Sequence, residues 1–233
     1  MIRITIWNEY EHERTIPAIA QVYPEGIHGA LKSILSEEKD FEIRCATLED
    51  EDQGLSEEIL TGTDVLIWWS HARQDDVTDE NVRRVTAHVH AGMGLIALHS
   101  AHFSKTFRAL MGTPCTLNWR ENDSEKLFCI LPSHPIAQGV PACIELPKEE
   151  LYGEPFFIPK PDDVIFLGWF AGGAVFRSGC TFTRGLGRIF YFQPGHEEYR
   201  NYDIPAVRRI LKNAVRWAAP SVRLDSPPDN VRI

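Results

Sequence analysis

Asp64-Val65-Leu66-Ile67-Trp68-Trp69 and Gly94-Leu95-Ile96-Ala97-Leu98-His99 are the two stretches on which the fold turns. Both are apolar at nearly every position and lack the alternation of a strand with one wet face, so each reads as a strand covered on both sides. Between them Thr78 stands where it can cap a helix. Asp79 and Glu80 fall in the first turn of that helix, and Val82, Val85 and Val89 share one face before Gly92 ends it. A helix joining two fully covered strands is the crossover of a parallel sheet. The same alternation reaches back to the N-terminus. Ile2 to Trp7 reads as a strand, Ile27 to Leu35 as a helix after the turn at Pro24 and Gly26, and Phe41 to Thr47 as a second strand. Right-handed crossovers then bring the strand C-termini to one edge, where sheets of this kind bind ligands.

From Leu127 to Phe192 the character changes to short strands and turns, with Gly139-Val140-Pro141, Ala171-Gly172-Gly173 and Arg184-Gly185-Leu186-Gly187 as punctuation. This predicts an antiparallel extension or mixed edge of the sheet. A last strand, Arg188 to Phe192, runs into Gln193-Pro194-Gly195-His196-Glu197. A final helix from about Ile204 to Ala218 packs back through Val207, Ile210, Leu211, Ala214 and Val215. The expected fold is α/β: a three-layer sandwich with a mostly parallel sheet and an antiparallel extension in the second half. One domain spans residues 1–219, and a tail at 220–233 is expected to be loosely held.

Composition narrows the partners. The chain of 233 residues carries a formal net charge of −9 and no block of lysines or arginines, which argues against nucleic acid and anionic membranes as partners. Its five cysteines are scattered and never spaced C-x-x-C, so neither a disulfide framework nor a cysteine zinc site is expected, and a reducing compartment is the simpler reading. No apolar run approaches the ~20 residues of a membrane span, and a cytoplasmic protein is expected. There is no G-x-G-x-x-G, P-loop or H-E-x-x-H pattern, and no nucleotide cofactor is expected. The sequence does not locate an oligomer interface and leaves a homo-oligomer open.

Residues able to carry chemistry gather after the strands. Asn8, Glu9, His12 and Glu13 follow the first strand, His71 the third, His99 and His102 the fourth, and His196 with Glu197 the last. A strand-to-helix turn such as Leu98-His99-Ser100 projects a side chain above the sheet edge, although a pair of histidines capping the helix is the plainer alternative. His28 lies near a helix start, where the dipole favours the neutral, ligand-competent imidazole. Arg120, Glu121 and Glu154 could complete a pocket or be solvated charges. Trp69, Trp119, Tyr152 and Trp169 could stack on sugar faces or simply pack.

Nearly the whole chain, from Ile4 to about Ala218, resembles the bacterial trehalose-utilisation ThuA family. The matching stretches include Thr5-Ile6-Trp7-Asn8-Glu9, Tyr23-Pro24-Glu25-Gly26-Ile27-His28, Leu66-Ile67-Trp68-Trp69-Ser70-His71, Gly94-Leu95-Ile96-Ala97-Leu98-His99-Ser100, Trp119-Arg120-Glu121, Tyr152-Gly153-Glu154 and Pro194-Gly195-His196-Glu197. The resemblance implies a flavodoxin-like fold similar to class I glutamine amidotransferases. Those enzymes carry a cysteine nucleophile at the elbow where this chain has Leu98-His99-Ser100-Ala101, so thioester chemistry on glutamine is not expected.

The resemblance also implies a role in catabolism of trehalose and related disaccharides, beside a dehydrogenase that makes 3-keto sugars. An enzyme acting on a 3-keto-disaccharide by isomerisation, elimination or hydrolysis would use His99, His196, Glu197, Glu154 and Glu13 in catalysis. It would hold a small-molecule sugar with Trp69, Arg120, Glu121, Tyr152 and His102. A divalent cation, zinc or manganese, would take His28, His71, His99 and His196. Two alternatives stand beside it: a non-catalytic sugar-binding or regulatory protein, and a serine hydrolase built on Ser100, His196 and Glu197.

Overall fold

The structure, a computed structural model, describes residues 1–229. Its strands are β1 (Ile2–Asn8), β2 (Phe41–Thr47), β3 (Val65–Trp69), β4 (Gly94–Leu98), β5 (Asn118–Cys129), β6 (Cys143–Gly153), β7 (Asp163–Phe170), β8 (Val175–Arg184) and β9 (Gly187–Phe192). They form one nine-stranded sheet in the order β2-β1-β3-β4-β9-β8-β7-β5-β6. The pairings from β2 to β9 through β1, β3 and β4 are parallel. Those from β9 through β8, β7 and β5 to β6 are antiparallel. The α/β class and the change of character halfway along the chain are thus as expected.

The helices are α1 (His12–Thr15), α2 (Pro17–Val22), α3 (Gly26–Leu35), α4 (Glu57–Thr61), α5 (Asp79–His90), α6 (Lys105–Met111) and α7 (Pro205–Ala218). Side chains alternate across β3 and β4, and the two faces receive different helices. Val65, Ile67, Trp69, Ile96 and Leu98 pack with Ile27 and Leu31 of α3 and Val207, Ile210 and Leu211 of α7. Leu66, Trp68, Leu95 and Ala97 pack with Val82, Val85 and Val89 of α5 and Phe107 of α6. Every residue of β3 and β4 is buried, which is why their sequences run apolar without alternation. Thr78 caps α5 as expected, its hydroxyl accepting from Asn81 N–H at 3.3 Å.

Two expectations need correction. The antiparallel region begins at Asn118 rather than near Leu127. The first half of β5 is polar and mostly exposed, and its pairing with β6 shifts register between Arg120 and Glu125, so no apolar rhythm announces it. Of the tail expected at 220–233, residues 230–233 lie outside the described residues, and its start is pinned. Arg223 donates to the carbonyls of Thr63 and Leu60, and Leu224 N–H donates to Ala91 O at 2.9 Å.

Because β9 runs parallel to β4, the residues after β9 emerge at the same edge as those after β1, β3 and β4. Counting through the antiparallel pairings, β6 also points that way, and its last residues, Glu149 to Gly153, arrive there too. The sheet thus brings five chain segments to one edge. This frame rests on the covered strands. Ile96→Ala, at a fully buried position of β4, is expected to lower the unfolding free energy by about 2–5 kcal/mol, measured by urea denaturation.

Candidate functional site

The turn after β4 opens with His99 at a φ of +52°, a left-handed backbone that a non-glycine residue holds only under local constraint. The constraint comes from across the sheet. His99 is fully buried and its Nδ1–H donates to Gln193 O, just beyond β9, at 2.9 Å. Since a carbonyl can only accept, Nδ1 carries a hydrogen and Nε2 is the nitrogen left to face the acid. That nitrogen lies 3.0 Å from Glu150 Oε2 and 3.4 Å from the Tyr152 hydroxyl. The Tyr152 ring stacks on His99 with centroids 5.0 Å apart.

His71 and His196 stand edge-on to His99, with ring centroids 6.0 Å and 5.1 Å from it. Glu9 shapes the loop that carries His71. Buried, it accepts the N–H groups of Ala72 at 2.5 Å and Arg73 at 2.9 Å. His196 is positioned from below by Glu149, another buried carboxylate. Glu149 accepts from Gly195 N–H at 2.7 Å, Asn201 Nδ2 at 2.9 Å, Glu150 N–H at 2.8 Å and His196 N–H at 3.3 Å. The N–H of Glu198 donates to His196 Nδ1 at 3.2 Å.

A cavity of about 490 Å³ opens over this cluster, with His71, Glu150, His196, His102 and Tyr152 on its floor and wall. Phe103 and Trp119, both exposed, stand at its rim with Glu121. Ser100 also faces it, and its buried hydroxyl has no hydrogen-bond partner.

The electrostatics separate the charges. Burial pushes Glu150 toward neutrality, but the bond and charge of His99, with His196 and His71 nearby, outweigh it and pull its pKa down to about 2. Burial and the neighbouring His99 lower His196 to about 3. His102, whose Nδ1–H donates to Cys115 O at 2.8 Å, is lowered by burial to about 4. His71 goes the other way. Burial opposes its charge, but its bond to Glu197 and the fields of Glu197, Glu150 and Glu9 raise its pKa.

Among the described residues, two groups of donors lie close enough to share a cation, their atoms within 4.8 Å of one another: His71, Glu150 and His196, and His12, His71 and Glu197. Of the expected ligands, His99 and His28 belong to neither. His99 turns its Nε2 to Glu150 instead. His28 Nδ1 accepts from Asn8 Nδ2 at 3.0 Å, beside Glu13, whose Oε1 accepts from Asn8 Nδ2 at 2.7 Å and Ile27 N–H at 3.0 Å. His28 and Glu13 thus key the start of α3 to the end of β1.

Other expected residues also stand apart from the cavity. Trp69 is fully buried and donates to Gly195 O at 3.3 Å, so no sugar can stack on it. Glu154 is held by Arg177 at 2.6 and 2.9 Å and by Phe156 N–H at 2.7 Å. Arg120 is tied to Asp123 at 3.0 Å and to Ala171 O at 2.8 Å. Conversely, sequence reasoning did not single out Glu149, Glu150 or Gln193 and gave His12 no role. A pair of acids interrupting a strand beside Leu151 and Tyr152 was the available signal, since charges enter a buried strand only with partners.

A family model described as "Trehalose utilisation", ThuA, matches residues 3–218. A comparison with curated protein sequences finds no match. Among solved structures, a chain described as ThuA-like from Parabacteroides merdae superposes with a TM-score of 0.72 at 16% identity, covering 96% of this chain and 92% of that one. A cytoplasmic protein of Salmonella typhimurium gives 0.64 at 12% identity, covering 94% and 100%. A protein described as one subunit of a GMP synthase, from Thermoplasma acidophilum, gives 0.51 at 13%, covering 93% and 96%. At these identities the likeness is one of fold, and it extends the glutamine-amidotransferase-like architecture to this chain. The difference lies at the elbow, where His99 stands and no cysteine lines the cavity among the described residues.

The opposed shifts are measurable. In protein stripped of metal by a chelator, NMR signals of the His102 and His196 rings are expected to stay at their neutral positions from about pH 8 down to about pH 5.5. His71 is expected to take up its proton at a higher pH than the ordinary 6.5, because Glu197 favours its charged form.

Proposed function

This chain belongs to the ThuA trehalose-utilisation family, and on that footing we propose that it is a cytoplasmic enzyme of disaccharide catabolism acting on a 3-keto-disaccharide. The observation that carries the reading is the pairing, on the floor of one cavity, of a carboxylate kept ionised with an imidazole kept ready to be charged: Glu150 and His71. Environments that drive neighbouring groups in opposite directions are how acid and base roles are divided at one pH. The cavity volume falls within the range of about 300–1,000 Å³ usual for small-molecule sites, and the aromatic rim suits the apolar faces of sugar rings.

A 3-keto group acidifies the proton on the adjacent C2. Glu150 would take that proton, and the electron pair would pass into the C2–C3 bond and onto the keto oxygen. When the pair returns to form C1=C2, the glycosidic C1–O bond breaks and the leaving oxygen takes a proton from His71. A carboxylate with so low a pKa is a weak base. The acidity of the C2 proton beside the keto group offsets this in part. Ser100 and Tyr152 hydroxyls at the cavity wall are the donors available to the enolate oxygen.

The donor chemistry also fits a divalent cation. Imidazole and carboxylate ligands suit zinc or manganese, and buried oxygens of both Glu150 and Glu197 lack hydrogen-bond partners. His71, common to both donor groups, would hold it together with one of those carboxylates. Bound there, the cation would add positive charge against the developing enolate.

Purified protein is expected to convert 3-keto-trehalose with release of glucose. Glu150→Gln should lower kcat by about 100-fold or more, the usual scale for loss of a general base, with little change in KM. Wild-type turnover in both Glu150→Gln and His99→Ala would refute the assignment. Saturable binding of the sugar without any product would favour the non-catalytic alternative.

A further inference from the structure

Glu197 lies just outside the acid–base cluster and is met from two sides. His71 Nδ1 is 3.1 Å from its Oε1, and His12 Nδ1 contacts the same oxygen. The carboxylate is buried, and its second oxygen, Oε2, has no partner at all. As a plain ion-pair hub this arrangement is incomplete, since a buried carboxylate oxygen left unpaired costs free energy.

Its donors lie within reach of a single cation. Ligand atoms around a tetrahedral zinc with bonds of about 2.0–2.1 Å lie about 3.3 Å apart, close to the 3.1 Å seen between His71 and Glu197. His12 and His71 are each roughly a quarter exposed, which leaves a path for the ion and a side open to a fourth ligand. Of the inner donors, Glu150 Oε2 also lacks a hydrogen bond but shares its space with the His99 ring, and His196 has no lone pair to offer. Glu150 faces His99 at 3.0 Å, and His196 Nδ1 accepts from Glu198 N–H at 3.2 Å, which places the hydrogen of the neutral ring on Nε2 and leaves no free lone pair.

We propose that the chain binds one divalent cation of the zinc class at His12, His71 and Glu197, on the outer side of the cavity, and not at the inner group of His71, Glu150 and His196. The inference rests on the proposed function only in taking the inner group as acid–base machinery. A cation on His71 Nδ1 would take the place of a proton there and leave the Nε2 hydrogen as a hydrogen-bond donor to the leaving oxygen, with the positive charge supplied by the cation in place of an imidazolium. His12, which connects β1 to the site, then acquires a purpose that no packing role explains.

Zinc and cobalt binding to the intact protein tests this directly, by titration against a chromophoric chelator and by elemental analysis after dialysis. One equivalent is expected in the wild type. His12→Gln and Glu197→Gln should each weaken binding by about 100-fold or more, beyond the 10–100-fold typical of losing an outer-shell partner. Glu150→Gln and His196→Gln should keep it within a few fold. Circular dichroism and the thermal midpoint of each variant separate lost binding from lost fold, and half-buried His12 gives the variant least dependent on packing. Absence of binding in the wild type would overturn the proposal. So would retention in a folded His12→Gln, or a loss confined to Glu150→Gln and His196→Gln. The readout does not involve turnover, so a failed sugar assay and a failed metal site remain separate results.

Discussion

One buried carboxylate joins the two halves of this molecule. Glu149 lies near the end of β6, at the far side of the sheet, yet its oxygens receive N–H groups from Gly195 and His196, beyond β9. It also receives the amide of Asn201 and the N–H of its own neighbour Glu150. A charge held away from water is tolerable only when its hydrogen-bonding capacity is filled, and here four donors fill it. The loop that carries His196 and the strand that carries Glu150 are thereby fixed to one another. Gly195 contributes to the same fixation: at a φ of +130°, any added Cβ would sit 2.2 Å from the Tyr202 hydroxyl oxygen.

Charge in the cavity follows from that geometry. Several titratable groups share a volume poor in water, and each responds first to burial and then to its neighbours. Glu150 stays ionised because imidazoles surround it, while His196 stays neutral because it is buried beside His99 and His71. His71 is drawn toward the charged form, because it reaches out to Glu197. The division into a negative floor, a neutral wall and a positive outer side requires all of these residues at once.

The elbow after β4 marks the departure from the glutamine-amidotransferase-like architecture. In that turn the residue with a left-handed backbone is His99. Its ring does not enter the cavity as a nucleophile would. It turns inward, bonds Gln193 and stands behind Glu150. The cysteines lie elsewhere. Cys180, on β8, is buried with its thiol pushed up to about 12 by burial.

Much of this architecture was legible in the residues. The covered runs Val65–Trp69 and Gly94–Leu98, the cap at Thr78 and the valine face of the helix after it follow from local sequence, since burial on two faces and helical periodicity both leave marks within a few residues. That His71, His99 and His196 lie at one edge also followed, because crossover handedness fixes where parallel strands end. The partners of each nitrogen and oxygen were not legible. His71 meets Glu197 across 126 positions of chain, and His99 meets Gln193 across 94. Nothing in the sequence around Glu13, His28, Glu154 or Arg120 distinguishes a charge held by a structural partner from one left free for a ligand. By itself the sequence determined which elements form and which edge collects the histidines, because those depend on local patterning and chain chirality. Only the tertiary structure decided which side chains share a proton, which are tied off and which face the cavity, because hydrogen bonds between distant segments are set by the packing of the whole sheet.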